Sequence, residues 1–228
     1  MKNKNFIAMR YLFFVVAILL FSCNQSTENK TESTKKSPSE FTNLLSKFKN
    51  ISFDTLKVNS SNEESDSSWK FNGTELDSSK AKLFPIEIPE GFSNKSGLFA
   101  CYKFNIDSDR IALISRTPGE YVSSSIKLFI YQKGLDKITD YTELADSWGD
   151  AGDWLTLDSW LFMDSNKELH SFVWQQVGHD NSVESEQDTT TELYNYYYLI
   201  NLSKQPIDTI SQDSIKLPQL FKTLIEKN

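Results

Sequence analysis

Along residues 98–212, short runs of apolar and β-prone residues alternate with brief polar turns, and the runs come in pairs. Residues 98–104 are followed by 110–116 across Asp107-Ser108-Asp109, and 126–131 by 138–144 across Lys133-Gly134. Residues 160–163 lead to 169–177 across Asp164-Ser165-Asn166-Lys167, and 194–200 to 207–210 across Leu202-Ser203-Lys204. Asp, Asn, Ser and Gly furnish the local hydrogen bonds and positive φ angles of tight turns, so the pattern predicts four successive hairpins. The expected fold is all-β, an antiparallel meander of about eight strands. Eight strands make only two propeller blades, which leaves a curved sheet, a sandwich or a barrel.

Three of the runs do not alternate. Ile111-Ala112-Leu113-Ile114, Leu128-Phe129-Ile130-Tyr131 and Trp160-Leu161-Phe162-Met163 are apolar on both faces, the pattern of strands covered on both sides. Each end of the domain offers a cover. Phe41, Leu44, Leu45 and Phe48 have the spacing of an amphipathic helix that Ser37 or Ser39 could cap, with Pro38 in its first turn. Leu217, Leu220, Phe221, Leu224 and Ile225 repeat that stripe with Pro218 near its start. Between the first helix and the hairpins, residues 51–58 read as an imperfect strand and 59–68 as a polar loop.

The chain's start follows another logic. Lys2, Lys4 and Arg10 precede an apolar run over residues 11–20, which is the layout of a secretory signal peptide and too short for a finished membrane span. Leu20-Phe21-Ser22-Cys23 then resembles the lipobox of bacterial lipoproteins, with Phe21 where a smaller residue is commoner. The resemblance implies that the signal is cut before Cys23 and that this cysteine carries the acyl chains, palmitate among them. Residues 24–39 contain no aliphatic or aromatic side chain and read as a solvated tether. At about 5–6 Å times the square root of its length, it holds the domain on the order of 20 Å from the anchor. The expected organisation is a signal peptide over 1–22, a lipidated cysteine and flexible tether over 23–38, and a single β-rich domain over 39–228.

Charge narrows the partners. The cut removes three basic residues and no acid, so the formal charge of −7 deepens by three. An acidic surface cannot release counterions from phosphate, which argues against nucleic acid and against direct binding to anionic headgroups. With Cys23 acylated, Cys101 is the one remaining thiol, and its apolar neighbours predict a small buried side chain.

Local chemistry is sparse. His170 and His179 lie nine residues apart with no cysteine nearby, unlike zinc ligands in sequence, and neither a GxSxG elbow nor a Gly-rich phosphate loop occurs. No cofactor is expected. The densest polar cluster, residues 146–154, holds Asp146, Asp150 and Asp153 with two glycines. Its oxygens suit calcium as an alternative, but its composition reads first as an ordinary turn-rich connection between strands. A second acidic segment over 179–192 reads as a solvated hairpin tip. Tyr194, Tyr196 and Tyr198 share one face of their strand, and Trp148, Trp154 and Trp160 are near in sequence. Exposed, these rings would bind a sugar or a protein partner; buried, they are core.

The anchored start, the Asn/Ser/Lys/Glu-rich composition and the hairpin run ending in residues 147–152 resemble lipoproteins of Bacteroidetes-type bacteria, which implies location and no activity. In such bacteria Asp-Ser/Thr followed by an aliphatic residue or Thr resembles the O-glycosylation signal of exported proteins, and it occurs here at Asp54-Thr55-Leu56, Asp188-Thr189-Thr190, Asp208-Thr209-Ile210 and Asp213-Ser214-Ile215. The expectation is a lipoprotein of the cell envelope, anchored to the inner or outer membrane through Cys23, whose domain outside the cytoplasm is a non-catalytic binding or interaction module for an envelope protein or glycan. The alternatives are a glycan-binding accessory lipoprotein using its Tyr and Trp rings, and a hydrolase whose carboxylates converge only in the fold.

Overall fold

The computed structural model describes residues 39–61, 68–87, 97–119 and 123–226. The segment with the expected signal peptide, Cys23 and tether lies outside them. Helix α1 (Glu40–Leu45) begins where Ser39 accepts the Phe41 amide at 3.1 Å, and it buries Phe41 and Leu44. Short elements follow: β1 (Lys49–Asn50), β2 (Thr55–Val58), β3 (Thr74–Glu75) and α2 (Ser78–Ala81). Asp77 caps α2, and the Lys80 ammonium with the Ser79 hydroxyl and the Lys80 amide holds its carboxyl well below the usual carboxylate range.

The meander then runs through β4 (Phe99–Asn105), β5 (Arg110–Thr117), β6 (Ser125–Gln132), β7 (Lys137–Asp150), β8 (Asp153–Met163), β9 (Leu169–Asp180), β10 (Thr191–Asn201) and β11 (Asp208–Ser211). Each of these strands is antiparallel to the next. The fold is all-β, with one sheet of eleven strands among the described residues, β1 and β3 added beside β4 and β2 beside β8. The sheet does not close, so the barrel alternative is corrected. The physical reason lies in β7, which changes partner along its length: residues 137–145 pair with β6 and 146–150 with β8. The strand thereby hands the chain from one half of the sheet to a second half.

An apolar layer unites the two halves. Ala112, Ile114, Ile126, Leu128, Ile130 and Leu144 from the first meet Leu56, Val58, Leu161 and Leu169 from the second. The outer face of the first half, through Ala100, Leu113, Phe129 and Tyr131, is covered by Phe41, Leu44 and Phe48 around α1 and by Ala81 and Phe84 around α2. Trp160 and Phe172, on the outer face of the second half, are covered by Leu217 and Phe221 of the C-terminal segment. Phe221 stacks on Phe172 at 4.3 Å. The expected C-terminal helix breaks at Phe221 into α3 (Lys216–Leu220) and α4 (Lys222–Ile225). Thus the runs that are apolar on both faces belong to strands covered on both sides. Cys101 is buried, and burial pushes its thiol up to about 12.

Residues 146–154 are not a turn-rich connection. They are the end of β7 and the start of β8, joined by Ala151 (φ 48°) and Gly152 (φ 91°) in a two-residue hairpin turn. A side chain at Gly152 would also meet the Asp180 carbonyl at 2.9 Å. Polar residues dominate here because both faces of this ribbon are partly in solvent. Gly178 sits opposite Trp154 in the ladder, with the indole laid over it.

A Cβ at Gly178 would lie 2.3 Å from the Trp154 ring. Gly178→Ala should therefore destabilise the protein by about 1–3 kcal/mol, as overpacking does, and by clearly less in a Trp154→Ala background. Urea unfolding of the four members of this double-mutant cycle checks it; equal costs in both backgrounds would refute the contact.

Candidate binding face

The ends of β7, β8, β9 and β10 continue past the point where β7 leaves β6, and they form a four-stranded ribbon. Strand register arranges one of its faces in cross-strand rows. At the tip are Asp150, Asp153, His179 and Glu192; next come Trp148, Leu155, Val177 and Tyr194; then Asp146, Leu157, Gln175 and Tyr196. Tyr198 follows in the next row beside Val173. Strands are about 4.8 Å apart and alternate residues about 6.7 Å apart, so the rings and aliphatic groups form a near-continuous surface.

Tyr194 and Tyr196 are 55% and 46% exposed, whereas Trp148, Leu155, Leu157, Val177 and Tyr198 are half-buried. Tyr194 donates its hydroxyl to Glu192 at 3.2 Å, and that carboxylate pushes the phenol pKa up. The structure therefore brings together Tyr194, Tyr196, Tyr198 and Trp148 of the expected aromatic residues. Trp154 goes to the opposite face, because residue 148 pairs with 155 across the two-residue turn and 154 falls opposite Gly149. That opposite face also holds Trp174, whose indole donates to Asn195 at 2.8 Å and stacks on Tyr197.

The outer edge of β10 completes the picture. Beyond β9, β10 pairs only with β11, and only through residues 199–201. Among the described residues no strand pairs with that edge from Thr191 to Tyr198, which runs beside the exposed tyrosines. Leu155, Leu157, Val177 and this edge were missed in sequence because polar neighbours hide the strand pattern. The two-residue spacing between 150 and 153 was the available signal.

The tip is a charge cluster. The Asp153 carboxylate faces His179 Nδ1 at 2.7 Å, and Glu184 lies 3.9 Å from Nε2. The hydrogen bond to Asp153, then the charges of Asp153, Glu184 and Glu192, raise the His179 pKa. Asp150 stands directly opposite Asp153, but Asp146 is two rows away, about 13 Å along the strand. The structure thus brings together two of the three carboxylates considered for calcium and spends one of them on His179. After β9, Asp180 caps a short 3-10 turn over Asn181–Val183, so the acidic segment is the hairpin tip expected.

Thr55, Thr189, Thr209 and Ser214 of the four Asp-Ser/Thr signals are all exposed. No helix among the described residues is long and apolar enough to cross a membrane. No protein family, curated protein or solved structure matches the chain.

Because the folded-state pKa of His179 lies above its ordinary 6.5, the pair stabilises the tip fully below about pH 6.5 and progressively less as pH rises through the folded value. An NMR titration should place the His179 midpoint above 6.5 in the native protein and bring it back toward 6.5 in Asp153→Asn. A midpoint unchanged by the substitution would contradict the pairing.

Proposed function

We propose that the chain is a lipid-anchored envelope lipoprotein whose domain is a non-catalytic binding module, with the partly exposed ribbon face of Trp148, Leu155, Val177, Tyr194 and Tyr196 as its contact surface. Support for location comes from the lipobox-like Leu20-Phe21-Ser22-Cys23 and the polar residues that follow it. The observation that carries the binding reading is the pair Tyr194 and Tyr196, held outward on a strand instead of packed in a core. Rigid aromatic rings supply contact area at little conformational cost, which is why Tyr and Trp anchor interfaces. The open edge of β10 favours an envelope protein as partner, since an extended segment could pair with its backbone while placing side chains among the rings. A glycan is the second reading, favoured by Asp146, Gln175 and Glu192, which set carboxylates and an amide beside the rings.

Two measurements test the proposal. Cys23→Ser should move the protein out of the membrane fraction or leave its precursor uncut; wild-type protein recovered soluble and unacylated would refute the anchor. In the tethered protein, Tyr194→Ala with Tyr196→Ala should weaken partner capture from the native envelope by about tenfold or more while leaving the melting temperature nearly unchanged, as expected for exposed hot-spot residues. Capture at wild-type strength would place the contact surface elsewhere.

A further inference from the structure

At the other end of the second sheet half, far along β8 and β9 from the tyrosines, the β8–β9 turn gathers Asp164, Glu168 and His170. Their ligand atoms all lie within 4.8 Å of one another, the one such group among the described residues. Asp164 closes the turn: its backbone amide donates to the Glu168 carbonyl at 2.9 Å, and Lys167 turns the chain with φ 63°. Its Oδ1 accepts the Asn166 and Glu168 backbone amides at 2.9 and 2.8 Å, while Oδ2 accepts the Asn166 side-chain amide at 3.4 Å and lies 3.4 Å from His170 Nε2. Glu168 is aimed from the other side, where buried Asn201 donates to its Oε2 at 2.8 Å. Asn201 is itself fixed by accepting the Ser203 amide.

His170 is the observation that makes this more than an acidic turn. Its side chain is only 8% exposed, it stacks on Phe162, and both ring nitrogens are buried without a hydrogen-bond partner. Nε2 meets Asp164 Oδ2 at 3.4 Å as an ion-pair contact whose alignment falls short of a hydrogen bond, and Nδ1 has no such contact. A buried imidazole with nothing to bond is costly, so its neighbours call for an acceptor of its lone pair. Two carboxylates of 26% and 36% side-chain exposure supply the negative charge and a path from solvent.

The geometry points to Asp164, Glu168 and His170 as a binding site for one divalent first-row transition-metal ion of the zinc class. Imidazole nitrogen with carboxylate oxygen suits Zn²⁺ and its neighbours better than Ca²⁺ or Mg²⁺, which prefer oxygen alone. Zinc bonds of about 2.0–2.2 Å put neighbouring ligands about 3–4 Å apart, so the group needs to contract by only about an ångström around the ion. Lys204, 3.4 Å from Glu168, has an exposed side chain with room to leave the carboxylate to an ion. The bound ion would clasp the β8–β9 turn, and through Asn201 the end of β10, at the base of the ribbon. The site is separate from the proposed contact surface and does not depend on it.

The test titrates Zn²⁺ into the intact, chelator-stripped protein. We expect saturable 1:1 binding with a rise in melting temperature, a shifted His170 Nε2 resonance, and at least tenfold weaker binding in both Glu168→Gln and His170→Gln. Glu168→Gln keeps the side chain's shape on a half-exposed position, so its loss of binding cannot be laid to misfolding. Asp153→Asn, at the other acidic histidine cluster, should bind as wild type does. Absence of saturable binding, full binding in Glu168→Gln, or loss of binding in Asp153→Asn would each overturn the assignment.

Discussion

Burial of strands that are apolar on both faces is the constraint from which the architecture follows. Leu113 faces one way and Ile114 the other, and both are fully buried. A single sheet can bury only one face against another layer, so such strands need a partner on each side. The protein supplies the inner partner by folding its own sheet at β7 and the outer ones from its ends, α1 and α2 over the first half and the segment around Phe221 over the second. Large rings carry much of that cover: Phe84 meets Phe129 edge-on at 4.8 Å, and Trp160, Phe172 and Phe221 form a stack.

The same device explains where the cover stops. Because β7 leaves β6 at residue 145 and continues with β8, no strand of the first half, among the described residues, pairs with the ribbon beyond that point. The C-terminal segment packs on Trp160, Phe172 and Trp174, on the opposite face. Tyr194 and Tyr196 are consequently left in solvent on strands whose other ends are locked in the core. Rigid support beneath exposed rings is what a contact surface requires, because few side chains then need ordering when a partner arrives.

The hairpins were legible because turn residues mark them locally: Asp107 accepts the Asp109 and Arg110 amides, and Asp164 those of Asn166 and Glu168, as such residues do in turns. The two-sided cover was legible as well, from runs such as Ile111-Ala112-Leu113-Ile114. The reach of β7 and β8 was not, since strand pairing over 146–157 is held by backbone bonds that its aspartates and glycines disguise. For the site, the shared face of Tyr194, Tyr196 and Tyr198 follows from the strand period of two, whereas the separation of Trp148 from Trp154 depends on the turn between them. The meeting of Asp164, Glu168 and His170 required the turn's closed geometry, and the orphaned nitrogens of His170 became visible only once Phe162 and Asn201 were placed beside it.

The central claim is that the ribbon face carrying Tyr194 and Tyr196 is the surface this protein offers to its surroundings. Covalent labelling of tyrosines, read residue by residue by mass spectrometry, tests it most directly when the protein in its native cells is compared with the purified protein. The account predicts strong labelling of Tyr194 and Tyr196 in the purified protein and protection of both in the native cells, with exposed Tyr141 labelled alike in the two states. Equal labelling of Tyr194 and Tyr196 in both states, or protection centred on Tyr141 instead, would contradict it.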